Sequence, residues 1–182
     1  MAGYRAVLDA CVLVPVLKAD VLLELGSTPL YEPLWSTEIL KETLAAVKLI
    51  HGKDITARVD AMNEAFPDAL ITGWEKVRDG LTGLPDPGDA HVLAAAIVGR
   101  ASVILTDNVR DFPESVLGGY GLQAKSSEEF WLDMLDLDPA LVVARMERAS
   151  ARRKSPPVDY EEFLLFLAAL LPDFSSLLRK LR

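Results

Sequence analysis

The chain has 182 residues, 51% of them hydrophobic and 25% charged, with 27 acidic residues against 19 basic ones and a net charge of −8. That is the size of one domain with a modest extension, and the composition excludes a disordered chain. Taken alone, the acidic balance also argues against a polyanionic partner, because nucleic-acid binders usually carry a basic surface. The single cysteine, Cys11, excludes an internal disulfide framework and a multi-cysteine zinc site. The apolar run 6–17 is broken by Asp9 and lacks the basic start of a signal peptide. The run 163–171 is nine residues, short of the roughly 18 that span a bilayer. A cytoplasmic protein with no membrane partner is therefore expected.

The apolar stretch 4–8 fits a buried strand that ends at Asp9. Residues 10–25 stay apolar around Pro15 and fit a turn leading into a helix, whereas Leu34 and Trp35 are too short a run to assign. Ser36 has the character of a helix N-cap, with Ile39, Leu40, Thr43, Leu44 and Val47 marking one face and Gly52 a plausible end. A second amphipathic stretch, 54–66, is stopped by Pro67, and 69–72 is a candidate strand. Pro85-Asp86-Pro87-Gly88 is a turn by composition, after which the pattern is helical from Asp89 to Gly99. The β-branched run 102–106 and the run 122–125 are further strands, and Ser126-Ser127-Glu128-Glu129 caps a helix through Trp131 to Leu135. Strands alternating with helices predict an α/β fold with a central parallel sheet flanked by helices.

Charge changes near residue 137. Residues 1–137 hold 11 basic against 21 acidic residues, a net of −10, and residues 138–182 hold 8 against 6, a net of +2. We place a domain over 1–137 and a helical C-terminal extension over 138–182, interrupted at residues 155–157 and at Pro172.

Several acids stand where acids are locally awkward. Asp9 follows the first strand, and the carboxyl ends of parallel strands are where open sheets bind ligands; a simple N-cap would place it there equally well. Glu42 lies at the edge of an apolar helical stripe, while Glu38 sits at the helix start, where a carboxylate merely complements the dipole. Asp89 is in register with Val92, Leu93 and Ala96, a face on which a carboxylate costs several kcal/mol unless a cation or donors meet it. An acid favoured by the helix dipole is the alternative there, and Asp86 is either a turn residue or a further acid. Asp107 and Asp111 follow the strand 102–106. Carboxylates about 4 Å apart repel by roughly 4 kcal/mol per pair at an effective dielectric of about 20, so a cluster needs cations to stay ionised. Oxygen ligands without a His or Cys set suit Mg²⁺ or Mn²⁺, the apparatus of metal-assisted phosphodiester hydrolysis.

Three segments in order, Val7-Leu8-Asp9-Ala10-Cys11-Val12-Leu13, Asp89-Ala90-His91-Val92-Leu93-Ala94-Ala95-Ala96 and Thr106-Asp107-Asn108-Val109-Arg110-Asp111-Phe112, resemble the successive motifs of PIN-domain nucleases, in particular the VapC-type toxins of bacterial toxin–antitoxin pairs. The resemblance runs from residue 4 to about 135. It implies a PIN-like domain with a central parallel sheet, a Mg²⁺- or Mn²⁺-dependent endoribonuclease activity on RNA, a cognate antitoxin protein as partner and a homodimer. Carried over to this chain, it makes Asp9, Glu42 (six residues after Ser36), Asp89 and Asp111 the catalytic and metal-binding set. Thr106 and Asn108 fall in its last motif, and Asp86 and Asp107 are extra acids beside it. Cys11 stands where many members have Asn or Ser, which puts a hydrogen bond to the site in question.

His51 and His91 have no partner nucleophile, and His91, two residues after Asp89, is expected to point away from the acid face into a packing or surface role. Trp35, Trp74 and Trp131 are expected in the core. Arg145, Arg148 and Arg152 share a helical face, followed by Arg153 and Lys154; they form either a solvated face or, with Arg110, a phosphate-contacting strip. The apolar segment 163–171, with Phe174, Leu177 and Leu178, is expected to pack on its own domain. Two other readings differ in class: a degenerate PIN module that binds RNA or a protein partner without cutting, and a haloacid-dehalogenase-type phosphohydrolase. The latter wants an Asp-x-Asp, and Cys11 occupies its second acid position. On the nuclease reading a bound ion would neutralise part of the acidic excess, so the net charge overstates the repulsion RNA would meet.

Overall fold

A computed structural model describes residues 4–153 and 157–181; Lys154 of the basic run therefore lies outside the described residues. Five parallel strands form the sheet: β1 (Arg5–Leu8), β2 (Glu32–Ser36), β3 (Leu70–Ile71), β4 (Val103–Leu105) and β5 (Gln123–Lys125), in the spatial order β3-β2-β1-β4-β5. The order reverses between β1 and β4, and the crevice outside the carboxyl ends of two such strands is the usual ligand position in an open sheet. Both strands are buried, as the unbroken apolar runs required.

β2 is the strand that the sequence hid. Its run contains Pro33, which cannot donate to a ladder, yet it pairs on both sides. The Trp35 N–H donates to Ala69 O at 2.9 Å, so Pro33, two residues earlier, faces the same side at a level that β3 has not reached. Its missing N–H therefore costs no bond to a neighbouring strand.

The helices connect the strands and cover the sheet. Asp9 caps the short α1 (Ala10–Leu13), and Pro15 separates it from α2 (Val16–Gly26). Ser36 accepts from the Ile39 N–H at 3.2 Å to start α3 (Thr37–His51), which ends at Gly52 with φ +63°, a conformation glycine adopts without strain. Then come α4 (Thr56–Ala65), α5 (Glu75–Arg78) and, after a 3₁₀ turn at Pro87–Asp89, the Ala-rich α6 (Ala90–Val98). A 3₁₀ turn at Val109–Asp111 and α7 (Glu114–Leu117) precede β5, and Ser126 with Glu129 forms a reciprocal capping box on α8 (Ser127–Leu137).

Three helices follow: α9 (Pro139–Ala151), α10 (Tyr160–Ala168) and α11 (Pro172–Lys180). They share the core of the sheet rather than forming one of their own. Val142, Met146, Phe163, Leu164, Leu167, Leu171, Phe174 and Leu178 are all fully buried in it. The Phe174 ring lies 4.8 Å from that of Trp131 on α8, and the Phe174 N–H donates to Glu128 at 2.6 Å. Trp35, Trp74 and Trp131 are buried as expected, but Leu165, Phe166 and Leu177 of the apolar segment face outward. Among the described residues no helix is long and apolar enough to cross a membrane.

Candidate active site

The crevice is built on two strand ends. The chain leaves β1 at Asp9, whose N–H still donates to Leu105 O of β4 at 3.0 Å, and leaves β4 at Thr106. The Asp9 carboxylate is buried and fully dressed. Its Oδ1 accepts from the Ala10 N–H at 2.6 Å, and its Oδ2 accepts from the Thr106 hydroxyl at 2.7 Å and the Cys11 thiol at 3.3 Å. The alternatives at this position are thus combined, since Asp9 caps α1 and also lies at the strand end. Thr106, itself fully buried, accepts in turn from the Asn108 N–H at 3.1 Å, which ties the loop after β4 to the loop after β1.

Cys11 supplies the hydrogen bond that its divergence from the family put in question. Its sulfur donates to Asp9 and accepts from the Asp107 N–H at 3.3 Å. Burial, and then the Asp9 charge, push the thiol up to about 11, so it stays protonated and remains a donor. Thr106→Val keeps the shape of this knot but removes its central hydroxyl. We expect a loss of about 2 kcal/mol, read as a fall in Tm of about 4–8 °C by circular dichroism.

Asp89 ends the 3₁₀ turn ahead of α6, half-buried. Its carboxyl is pushed up to about 6, first by burial and then by the charges of Asp9, Asp111 and Asp86, with His91 opposing them. Asp111 closes the 3₁₀ turn after β4. Asp86 accepts from the Gly88 N–H at 2.7 Å and so is the turn residue, within electrostatic reach of Asp89. Glu42 projects from α3 with 46% of its side chain exposed; burial pushes its carboxyl up, His91 opposes, and Asp9 and Glu38 add to the rise. The acids from β1, α3, the turn before α6 and the loop after β4 therefore feel one another across a single crevice. Residues 107–111 line a cleft of about 430 Å³ at its rim.

Other candidates turn elsewhere. Asp107 pairs with the buried Lys18 of α2 and accepts from the Ser127 hydroxyl at 2.8 Å; burial alone would raise its carboxyl, but these partners hold it below its ordinary range. Arg110 and the Asn108 side chain are exposed on the cleft loop. Arg145, Arg148 and Arg152 are not a freely solvated face: all three bind Glu24, a buried carboxylate on α2, at 3.3, 3.4 and 2.7 Å. With Arg58 and Arg153 the latter two line a cleft of about 490 Å³ between α2, α4 and α9.

His91 departs from expectation. It is 5% exposed, and its Nε2 lies 3.0 Å from Glu42 Oε1, inside the crevice rather than away from it. The expected register fails because Asp89 belongs to a 3₁₀ turn, and the helical phase begins only at Ala90. Lys18, which pairs with Asp107 beside the crevice, is a second residue that periodicity passes over. A lysine inside the apolar run 16–25 is the signal that could have found it, because a buried ammonium needs a carboxylate partner.

Every acid facing the crevice offers carboxylate oxygen, the donor chemistry of a hard divalent cation. Among the described residues no three His, Cys, Asp or Glu side chains are gathered tightly enough to grip an ion by themselves. A hydrated divalent cation that keeps several waters and binds through one or two carboxylates fits such a spread of acids.

Comparison with known proteins agrees with this architecture. The family model described as PIN domain matches residues 5–110, and the chain belongs to the PIN-domain family. Its C-terminal part matches a second model, the VapC50 C-terminal domain, over residues 128–180. The chain is also similar to a protein of Mycobacterium tuberculosis named "Putative ribonuclease VapC50", 36% identical over 93 residues. That match covers 51% of this chain and 55% of the relative, about half the length of each. No solved structure matches the chain.

Proposed function

We propose that the chain is a Mg²⁺- or Mn²⁺-dependent endoribonuclease, the toxin of a toxin–antitoxin pair, working in the cytoplasm and held in check by a cognate antitoxin protein. On this reading residues 1–137 form the nuclease unit, residues 138–182 complete its core, and the protein is a homodimer. Asp9, Glu42, Asp89 and Asp111 would hold the ion. One observation carries the reading: at the start of α6, burial and then the neighbouring charges of Asp9, Asp111 and Asp86 raise the Asp89 carboxyl to about 6, with His91 opposing them. Membership of the PIN-domain family and the name of the Mycobacterium tuberculosis relative support the same reaction class.

A bound cation would polarise water and neutralise charge developing on the scissile phosphate. The chain's own residues do the rest. Thr106 and Cys11 fix the Asp9 carboxylate, while Lys18 and Ser127 hold Asp107 and with it the 107–111 loop that carries Asn108 and Asp111. Arg110, on that loop, and Arg145, Arg148 and Arg152, around one shared carboxylate, are the RNA-contacting cations. Three guanidiniums over one Glu24 leave surplus positive charge in an otherwise acidic protein. Arg148→Ala with Arg152→Ala should therefore weaken RNA binding across sequences and flatten its salt dependence, measured by filter binding between about 50 and 200 mM salt. The deciding experiment is cleavage of RNA by the pure protein with Mg²⁺ or Mn²⁺ against chelator. Absence of cleavage under either ion would overturn the proposal. Absence of Mn²⁺ binding as well would favour the non-cleaving PIN module.

A further inference from the structure

Glu42 is the most exposed of the four acids assigned to the cation. It stands on α3 with nearly half its side chain exposed, and both Asp9 and Glu38 repel it. Left alone, a glutamate there would swing to solvent, since fixing it costs about 1.5–2 kcal/mol of rotamer freedom. His91 opposes that motion by reaching across from α6, its Nε2 3.0 Å from Glu42 Oε1. The imidazole is itself fixed from behind. Its ring centroid lies 6.0 Å from that of Trp74, over which the Arg78 guanidinium sits at 5.5 Å. His91 Nδ1 is buried with no hydrogen-bond partner among the described residues, and so is Trp74 Nε1. The bond to Glu42 is therefore the one that orients the ring. An ionised carboxylate oxygen only accepts, so Nε2 is the nitrogen that carries the hydrogen in this bond.

We propose that His91 is a positioning residue: its Nε2–H holds Oε1 of Glu42, keeping that carboxylate turned into the crevice with Oε2 unclaimed by the imidazole. The inference rests on the reading of Glu42 as a member of the cation-holding set, and it assigns a role to a residue outside that set. Partners that orient a metal-binding carboxylate typically contribute about 10–100-fold in metal affinity.

The test is calorimetric titration of the metal-free protein with Mn²⁺, alongside thermal melts, for wild type and for Glu42→Ala, His91→Phe and His91→Gln. His91→Phe keeps a ring against Trp74 but has no donor. It should melt near wild type and bind Mn²⁺ about 10-fold more weakly. His91→Gln places an amide N–H near the Nε2 position and should recover binding to within about threefold of wild type. Combining Glu42→Ala with His91→Phe should weaken binding no further than Glu42→Ala alone, because the histidine acts only through the glutamate. Should His91→Phe fold poorly, His91→Asn replaces it: its shorter amide falls short of Glu42, so it should lose the affinity that His91→Gln keeps. Weak binding by Glu42→Ala with wild-type binding by His91→Phe would overturn the role of His91 alone. Equal loss in His91→Phe and His91→Gln would overturn it in favour of mere packing. Wild-type binding by Glu42→Ala, or none by the wild-type protein, would overturn the reading of Glu42 as well.

Discussion

Asp89→Asn is expected to abolish divalent-dependent RNA cleavage while making the metal-free protein more stable at neutral pH. The loss of activity should be about 10²–10³-fold or more, the usual cost of removing one preorganised electrostatic group from a catalytic centre. The gain in stability follows from linkage. The Asp89 carboxyl rises from an ordinary 3.8 to about 6 on folding, so the native state binds a proton more readily than the unfolded chain. Its contribution to stability is fully present below about pH 3.8 and is lost as pH rises through about 6. Above that the ionised carboxylate opposes folding. A rise of that size corresponds to about 3 kcal/mol, but Asp89 is only partly buried, and solvent screening reduces this to about 1 kcal/mol. The metal-free variant should thus melt about 2–4 °C above wild type near pH 7.5, with the gap closing below about pH 4. Added Mn²⁺ should stabilise the wild type and leave the variant nearly unmoved. A variant less stable than wild type at that neutral pH would show that burial and the neighbouring carboxylates do not raise Asp89.

The largest structural effect is expected from cutting the chain after Leu137. The charge changes there, but the core does not. Truncation removes eight fully buried apolar side chains, from Val142 to Leu178, and uncovers the face of Trp131 against which Phe174 packs. At about 1.5–3 kcal/mol each, their loss exceeds about 10 kcal/mol, comparable with the whole stability of a typical domain. Glu24 on α2 would also lose all three of its arginine partners. The 1–137 fragment should therefore aggregate or lack a cooperative melt, whereas the full chain melts as one unit. A monomeric fragment with a sharp transition would mean that the helices are an appendage.

What the sequence makes legible is local. Continuous apolar runs mark β1 and β4, and Ser36, Gly52 and the Ser126–Glu129 pair mark helix ends because capping acts over three or four residues. The resemblance to PIN-domain nucleases, through the residue six positions after Ser36, picks Glu42 over Glu38; in the structure Glu42 meets His91, and Glu38 pairs with the exposed Lys41. The remainder depends on partners far along the chain. Asp107 is ambiguous in sequence because Lys18, which claims it, lies 89 positions away. The face of Arg145, Arg148 and Arg152 reads equally as solvated or RNA-facing until Glu24 is brought beneath it, from 121 and 128 positions away for the first and last of the three. His91 escapes for a different reason: one 3₁₀ turn offsets the helical register, and periodicity carries no mark of it.

The hydrogen bond between Thr106 and Asp9 joins residues 97 positions apart, and β1 pairs with β4 across the same separation, Val7 opposite Ile104. Such non-local topology is slow to nucleate, because chain entropy is lost before contacts repay it. During synthesis, at about 5–20 residues per second, Asp9 precedes Thr106 by about 5–20 seconds. Closing the core then waits for α11, which ends at Lys180. A nascent chain thus carries Asp9 and Glu42 well before Asp89, Thr106 and Asp111 are made, and the crevice can form only once the loop after β4 has been added.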